Sequence, residues 1–167
     1  MFQKNSYCSY CGTPFEKNQA WPRTCAGCGN TTFLNPSPVS VVLLPVDDGL
    51  LLVRRNIEPR KGWLALPGGY IDYGESWQQA GAREVLEETS IVIEPDELRE
   101  FRVKSVPNGS ILLIFGLAKP RRAQDLPPFE PNEETQEVCV VTAPEELAFS
   151  THTEALREYF ENSAGNK

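Results

Sequence analysis

A chain of 167 residues, 40% of them hydrophobic, is long enough for one ordinary domain with a small appendage and too apolar for global disorder. Its formal net charge of −7 argues against a broad nucleic-acid-binding face, which needs a basic field to attract phosphate. Divalent cations would then have to handle any phosphorylated substrate. No apolar run approaches the roughly 20 residues of a membrane span, and Met1-Phe2-Gln3-Lys4-Asn5 lacks the apolar stretch of a secretory signal. A cytoplasmic setting without a membrane partner is expected.

Four of the five cysteines come first in the chain, as Cys8-Ser9-Tyr10-Cys11 and Cys25-Ala26-Gly27-Cys28, two CxxC pairs thirteen residues apart. In a reducing compartment such pairs hold metal rather than form disulfides. A two-residue gap lets both thiolates of one turn face the same ion, and four soft ligands suit tetrahedral Zn²⁺. The segment is therefore expected to be a zinc ribbon with Cys8, Cys11, Cys25 and Cys28 as ligands. All four positions would be filled by protein, which points to a structural staple for a segment too small to fold alone. Lys4, Lys17 and Arg23 against Glu16 make too weak a basic cluster for a nucleic-acid footprint.

The boundary is placed at Asn35-Pro36-Ser37-Pro38, because proline fixes its own φ and restricts its predecessor. This gives a ribbon over residues 1–35 and a second domain over 36–167. Val39 to Val46 is apolar and rich in β-branching, so a buried strand is expected. Asp47-Asp48-Gly49 turns the chain into a returning strand from Leu50 to Arg54. A short strand is expected over Trp63 to Leu66, a helix over residues 76 to 89, and extended structure from Ile91 to Glu94. Pro107-Asn108-Gly109 sets a hairpin between Phe101–Ser105 and Ser110–Lys119. Lys119 to Pro131, with four prolines, reads as an exposed loop. A strand over Glu137 to Val141 and an amphipathic helix over Thr151 to Glu161 close the chain. Strands before and after one strong helix predict an α/β class with a mixed sheet.

Within the 76–89 helix, Ser76 is a natural N-cap, and Gln79 three residues on completes a capping box. Trp77, Ala80, Val85 and Ala82 are expected to face the sheet. Glu84, Glu87 and Glu88 fall at i, i+3 and i+4 and share one side of the helix. Like charges so placed destabilise an isolated helix by a few tenths of a kcal/mol per pair, and near its C-terminus they also oppose the dipole. Bound divalent cations reverse that sign, and hard carboxylate oxygens suit Mg²⁺ or Mn²⁺. Arg83 can pair with Glu87 or with Glu75 and so orient the carboxylates.

The run from Gly69 to Ile91 resembles the Nudix box. Gly69, Glu75, Arg83, Glu84, Val85, Glu87, Glu88 and Ile91 stand in register with it, and Ser90 stands where the family has glycine. That glycine would serve the left-handed exit of the helix. The resemblance implies an α/β/α sandwich in which the box forms a loop–helix–loop. It implies Mg²⁺ (or Mn²⁺) held by Glu84, Glu87 and Glu88 with help from the Gly69 carbonyl, and Arg83 and Glu75 in support. A further carboxylate comes from a C-terminal loop, for which Glu134 is the first candidate and Glu137 the second. The general base varies in the family, so Glu88 or that distal carboxylate can serve. The implied activity is hydrolysis of the diphosphate linking a nucleoside to another group, by metal-activated water. Dimerisation is common in the family, so a homodimer stays open.

A ribbon ahead of such a domain is similar to the NADH pyrophosphatase group, although that group's marker, Ser-Gln-Pro-Trp followed by Phe-Pro, is absent. Arg54-Arg55-Asn56-Ile57-Glu58-Pro59 and Leu147-Ala148-Phe149-Ser150 resemble plant-type FAD pyrophosphatases, so FAD, NADH or ADP-ribose is the substrate class implied. Two other readings compete: a nucleotide-sensing binding module, and a zinc-ribbon adaptor with a non-catalytic scaffold. Trp63, Tyr70, Tyr73 and Phe129 are candidates to stack on a base. Arg54, Arg55, Arg60, Lys61, Arg121 and Arg122 are candidates for phosphate contacts, with solvated surface as the competing reading. Cys139 reads as a buried inert thiol and His152 as a capping or surface residue.

Overall fold

A computed structural model describes residues 4–164; residues 1–3, part of the stretch read for a signal, and residues 165–167 lie outside the described residues. The chain divides into two compact units, Met1–Pro36 and Ser37–Lys167, one residue later than the proline-based boundary.

In the first unit, β1 (Arg23–Thr24) pairs antiparallel with β2 (Thr31–Thr32). The two cysteine turns share one backbone pattern. The Gly12 amide donates to the Cys8 carbonyl at 3.0 Å and the Gly29 amide to the Cys25 carbonyl at 2.9 Å. Both glycines sit in the left-handed region, at φ 75° and 74°, where a side chain would be strained.

The second unit contains β3 (Ser37–Leu43), β4 (Pro45–Val46), β5 (Gly49–Arg55), β6 (Leu64–Ala65), β7 (Gly68–Tyr70), α1 (Trp77–Thr89), β8 (Arg99–Ser105), β9 (Ile111–Leu117), β10 (Thr135–Val141) and α2 (Ser150–Ala164). One sheet runs β7-β3-β9-β8, with β3 parallel to β9 and the other pairs antiparallel. The other runs β10-β5-β4, with β6 also on β5. The expected single strand from Val39 to Val46 is thus two strands in two sheets. Pro45 has no N–H to continue a ladder, and the chain changes sheet there. The stretch from Ile91 to Glu94 pairs with no strand among the described residues, although Ile91 and Ile93 are buried.

Alternation along the central strands decides the layers. Val41 and Leu43 of β3 and Leu50 and Leu52 of β5 join Ala155 and Leu156 of α2 in one core, around Phe115. Val42 and Leu44, with Leu51, join Val85 of α1, Ile91 and Ile93 in the other. The two sheets, covered by α2 on one side and α1 on the other, make the α/β/α sandwich. Helix α1 lies very close to β3: a Cβ at Gly81 would meet Ser40 Oγ at 2.8 Å.

His152 and Cys139 depart from their sequence readings. His152 is buried in α2, its Nδ1 accepting from the Leu66 amide at 3.3 Å, and its ring packs on Phe149 and Phe115 at 5.1 and 5.8 Å. The sequence placed it at a helix start, but the first turn of α2 faces the core. Cys139 is half-buried, packed against the first core, with its thiol pushed up mainly by burial.

Candidate active site and cysteine cluster

Helix α1 starts as its cap residues require. The Ser76 hydroxyl accepts from the Gln79 amide at 3.2 Å, and the Gln79 side chain accepts from the Ser76 amide at 2.8 Å. It ends at Ser90 in the left-handed conformation, φ 63°, so serine occupies the geometry that suits glycine. Glu84 and Glu88, one turn apart, are buried, whereas the Glu87 side chain is 54% exposed.

Carboxylate oxygens of Glu84, Glu88 and Glu134 lie within 4.8 Å of one another. The structure does not bring Glu87 into this group. The three helical glutamates span about 100° of circumference, and Glu87 falls at the outer edge, where its carboxylate accepts from Arg83 at 3.1 Å. Glu137 is also elsewhere, paired with Arg54 at 2.7 Å. Gly69, in register with Ser40 on β3, lies against the Glu84 carboxylate, and a Cβ there would collide with it.

Arg83 uses its donors on one side of the cluster. It grips Glu75 with two nitrogens at 2.9 and 3.0 Å, Glu84 at 2.7 Å and the Tyr70 carbonyl at 2.9 Å. The guanidinium, followed by the Asp72 amide, holds the Glu75 carboxyl down at about 2. Glu84 moves upward because burial outweighs its bond to Arg83. Glu88 is pushed up to about 8, chiefly by burial and further by Glu84, against the Gly68 amide that donates to it at 2.9 Å.

Two full charges within 4.8 Å of each other would repel by about 3 kcal/mol or more at an effective dielectric near 20. That exceeds the few tenths of an ordinary surface helix pair. Among the described residues, Arg83 is the only cation bonded to the cluster, and it touches Glu84 alone. A divalent cation fits this donor set: three hard oxygens, mutual repulsion to relieve, and space that a glycine leaves open.

Sequence reasoning missed Asn132. Its Oδ1 accepts from the Glu134 and Thr135 amides at 2.9 and 2.8 Å, and its Nδ2 donates to the Glu87 carbonyl at 2.9 Å. One side chain thus ties the loop carrying Glu134 to the end of α1. Pro131-Asn132 is ordinary turn chemistry, so only the partner across the fold gives it meaning.

The carboxylates open onto a cleft of about 780 Å³ whose walls include Val39, Val41, Leu113, Arg55, Tyr70 and Phe149. Of the other aromatic candidates, Tyr73 is fully exposed and Trp63 is 42% exposed beneath the Arg60 guanidinium at 5.5 Å. Phe129 is half-buried and outside the cleft wall. Arg121 is spent on Glu97 at 2.6 Å.

In the N-terminal unit the four cysteine sulfurs also lie within 4.8 Å of one another, with Cys8 to Cys28 at 3.8 Å and Cys11 to Cys25 at 3.6 Å. A tetrahedral ZnS₄ group has an edge of roughly 3.8 Å for bonds near 2.3 Å, far from the roughly 2.05 Å of a disulfide. The Gly27 amide donates to Cys25 Sγ at 3.3 Å. Contact with Thr13 draws the Cys11 thiol down to about 6. The cluster is consistent with a zinc ribbon.

Over residues 35–162 the chain matches the NUDIX domain family. It is similar to the "NAD-capped RNA hydrolase NudC" of Edwardsiella ictaluri (strain 93-146), 36% identical over 93 residues, which take in 55% of this chain and 36% of that protein. The protein of the same name from Salmonella typhi is 30% identical over 93 residues, with the same coverage. The chain therefore spans little more than a third of the length of these curated relatives. Among solved structures, a NUDIX hydrolase from Nitrosomonas europaea shares 26% identity and a TM-score of 0.77, covering 97% of this chain and 94% of that one. With the family matched across most of its length and a sandwich that places the box helix against a mixed sheet, the chain is a member of the Nudix family.

Proposed function

We propose that this protein hydrolyses the diphosphate linkage of a free adenine dinucleotide or ADP-ribose-like compound, FAD foremost, in a Mg²⁺- or Mn²⁺-dependent reaction. The observation that carries this reading is the convergence of Glu84, Glu88 and Glu134 beside the cleft. Those three carboxylates would hold the cation. When bound, it supplies charge neutralisation on the diphosphate and acidifies water. Glu87 lines the same cleft and pairs with Arg83.

The remaining work belongs to the chain. Arg83, fixed by Glu75 and the Tyr70 carbonyl, keeps the Glu84 carboxylate turned toward the cluster. The Gly68 amide holds one Glu88 oxygen. Glu134 has no hydrogen-bond or ion-pair partner of its carboxylate among the described residues and stands on a loop anchored by Asn132. It is the group best placed to accept a proton from the attacking water. The relatives named for NAD-capped RNA support a dinucleotide diphosphate as the bond cut. The net charge of −7 favours the free dinucleotide over a long RNA, because counterion release needs basic residues. The four cysteines would hold a structural Zn²⁺.

The test is a chromatographic assay of FAD, NADH, ADP-ribose, CDP-alcohols and NAD-capped RNA with and without Mg²⁺. Cleavage of a dinucleotide is expected, with Glu84→Gln and Glu134→Gln each lowering kcat at least a hundredfold. Undiminished turnover in both variants, or no cleavage of any diphosphate, overturns the proposal.

A further inference from the structure

The cleft has a second polar end that the carboxylates do not explain. It is built from the first turn of α2 and the end of β5. His152 is 6% exposed. Its Nδ1 is occupied as acceptor by the Leu66 amide, so the neutral ring, kept neutral by burial, carries its proton on Nε2. That Nε2–H has no partner among the described residues, and His152 lines the cleft. The rest of the turn is equally unspent. The Ser150 and Thr151 amides and hydroxyls make no hydrogen bond to the described residues, while the His152 and Thr153 amides already serve the Phe149 carbonyl. Ser150 and Thr151 line the cleft too. A helix of 15 residues adds the positive end of its dipole at this point.

Arg55 completes the set. Its Nε donates to the Pro59 carbonyl at 2.9 Å, and its guanidinium lies over the Phe149 ring at 5.2 Å. Both terminal nitrogens are left without a partner among the described residues, on the cleft wall. It lines the same cleft as Glu88 and His152, and its charge acts on both. The unspent groups named here can all donate: a buried imidazole N–H, two backbone amides, two hydroxyls and a guanidinium, although Glu58 also lines the cleft. Such a set recognises an anionic oxygen group, and a dipole alone would not require the buried ring nitrogen to face it.

We infer that the first turn of α2, with His152 Nε2–H and the Arg55 guanidinium, is a phosphate subsite that binds one phosphoryl group of the substrate without a metal. It rests on the reading of the cleft as a nucleotide site, and assigns the phosphoryl group adjoining the one held at the carboxylates to this end.

The test uses the full chain in EDTA with AMP as probe and adenosine as its phosphate-free control. Calorimetry and amide-resolved NMR should show AMP binding, with the Ser150 and Thr151 amides moving, and adenosine at least tenfold weaker. His152→Asn keeps an acceptor where Nδ1 meets the Leu66 amide and removes the Nε2 donor. Arg55→Gln removes the cation without touching the buried ring. Each should weaken AMP tenfold or more, leave adenosine unchanged, and raise KM for the dinucleotide more than it lowers kcat. Equal affinity for AMP and adenosine overturns the subsite, as does AMP binding that moves only the residues around Glu84 and Glu88. These readouts need no turnover. A protein that binds AMP as described yet cleaves nothing would refute the hydrolase proposal and leave the subsite standing.

Discussion

Replacing His152 tests the burial argument through acid stability. The ring sits in a core of Phe115, Phe149 and Leu66, and burial, followed by the charge of Arg55, lowers it from 6.5 to about 3. The folded protein thus refuses a proton that the unfolded chain accepts below about 6.5. Between about 3 and 6.5 the unfolded state binds more protons, so stability is complete above 6.5 and is lost as pH falls. At pH 5 the deficit is 1.5 pH units at about 1.4 kcal/mol each, or about 2 kcal/mol. Urea unfolding of wild type and His152→Asn at pH 7.5 and 5.0 measures it as a double difference, in which titration of carboxylates and cysteines cancels. The variant loses packing at both values, so it is less stable at pH 7.5, and its handicap should shrink by about 2 kcal/mol at pH 5.0. A handicap that stays constant or widens would refute the account of a buried neutral imidazole.

Two further outcomes follow from local geometry. Ser90→Gly relieves a left-handed residue and should stabilise the protein by about 0.5 to 1 kcal/mol, read from the urea midpoint at constant m; destabilisation would mean that the serine side chain contributes more than its strain costs. The cysteine cluster should carry one zinc per chain by elemental analysis. A strong chelator should strip hydrogen-exchange protection from the amides of Cys8 and Cys25, which bond within their turns, and leave that of β3 and β9 intact. Protection that survives chelation would remove zinc from the folding of this unit.

The sequence by itself determined much of this protein, because its strongest signals are local. The CxxC spacing needs only a tight turn to bring two thiolates together. Ser76 and Gln79 set the start of α1, and the 3.6-residue period placed Glu84 and Glu88 on one side of it. Asn-Gly announced the hairpin between β8 and β9. Even the strain at Ser90 was legible, since the pattern calls for glycine there. Contacts across the chain were not legible in this way. Periodicity puts Glu87 with its neighbours; in the structure it lines the same cleft but pairs with Arg83 and stays outside the cluster of Glu84, Glu88 and Glu134. Glu134 and Glu137 are alike in sequence; the Asn132 bonds and the pairing of β10 with β5 sent one to the cluster and the other to Arg54. A lone histidine at a helix start carried no sign of its burial, because burial belongs to the packing of α2 on the sheet. Local chemistry fixes each element and the residues it offers, whereas which of them meet depends on long-range packing, which decides whether a carboxylate joins the cluster or pairs with a neighbouring arginine.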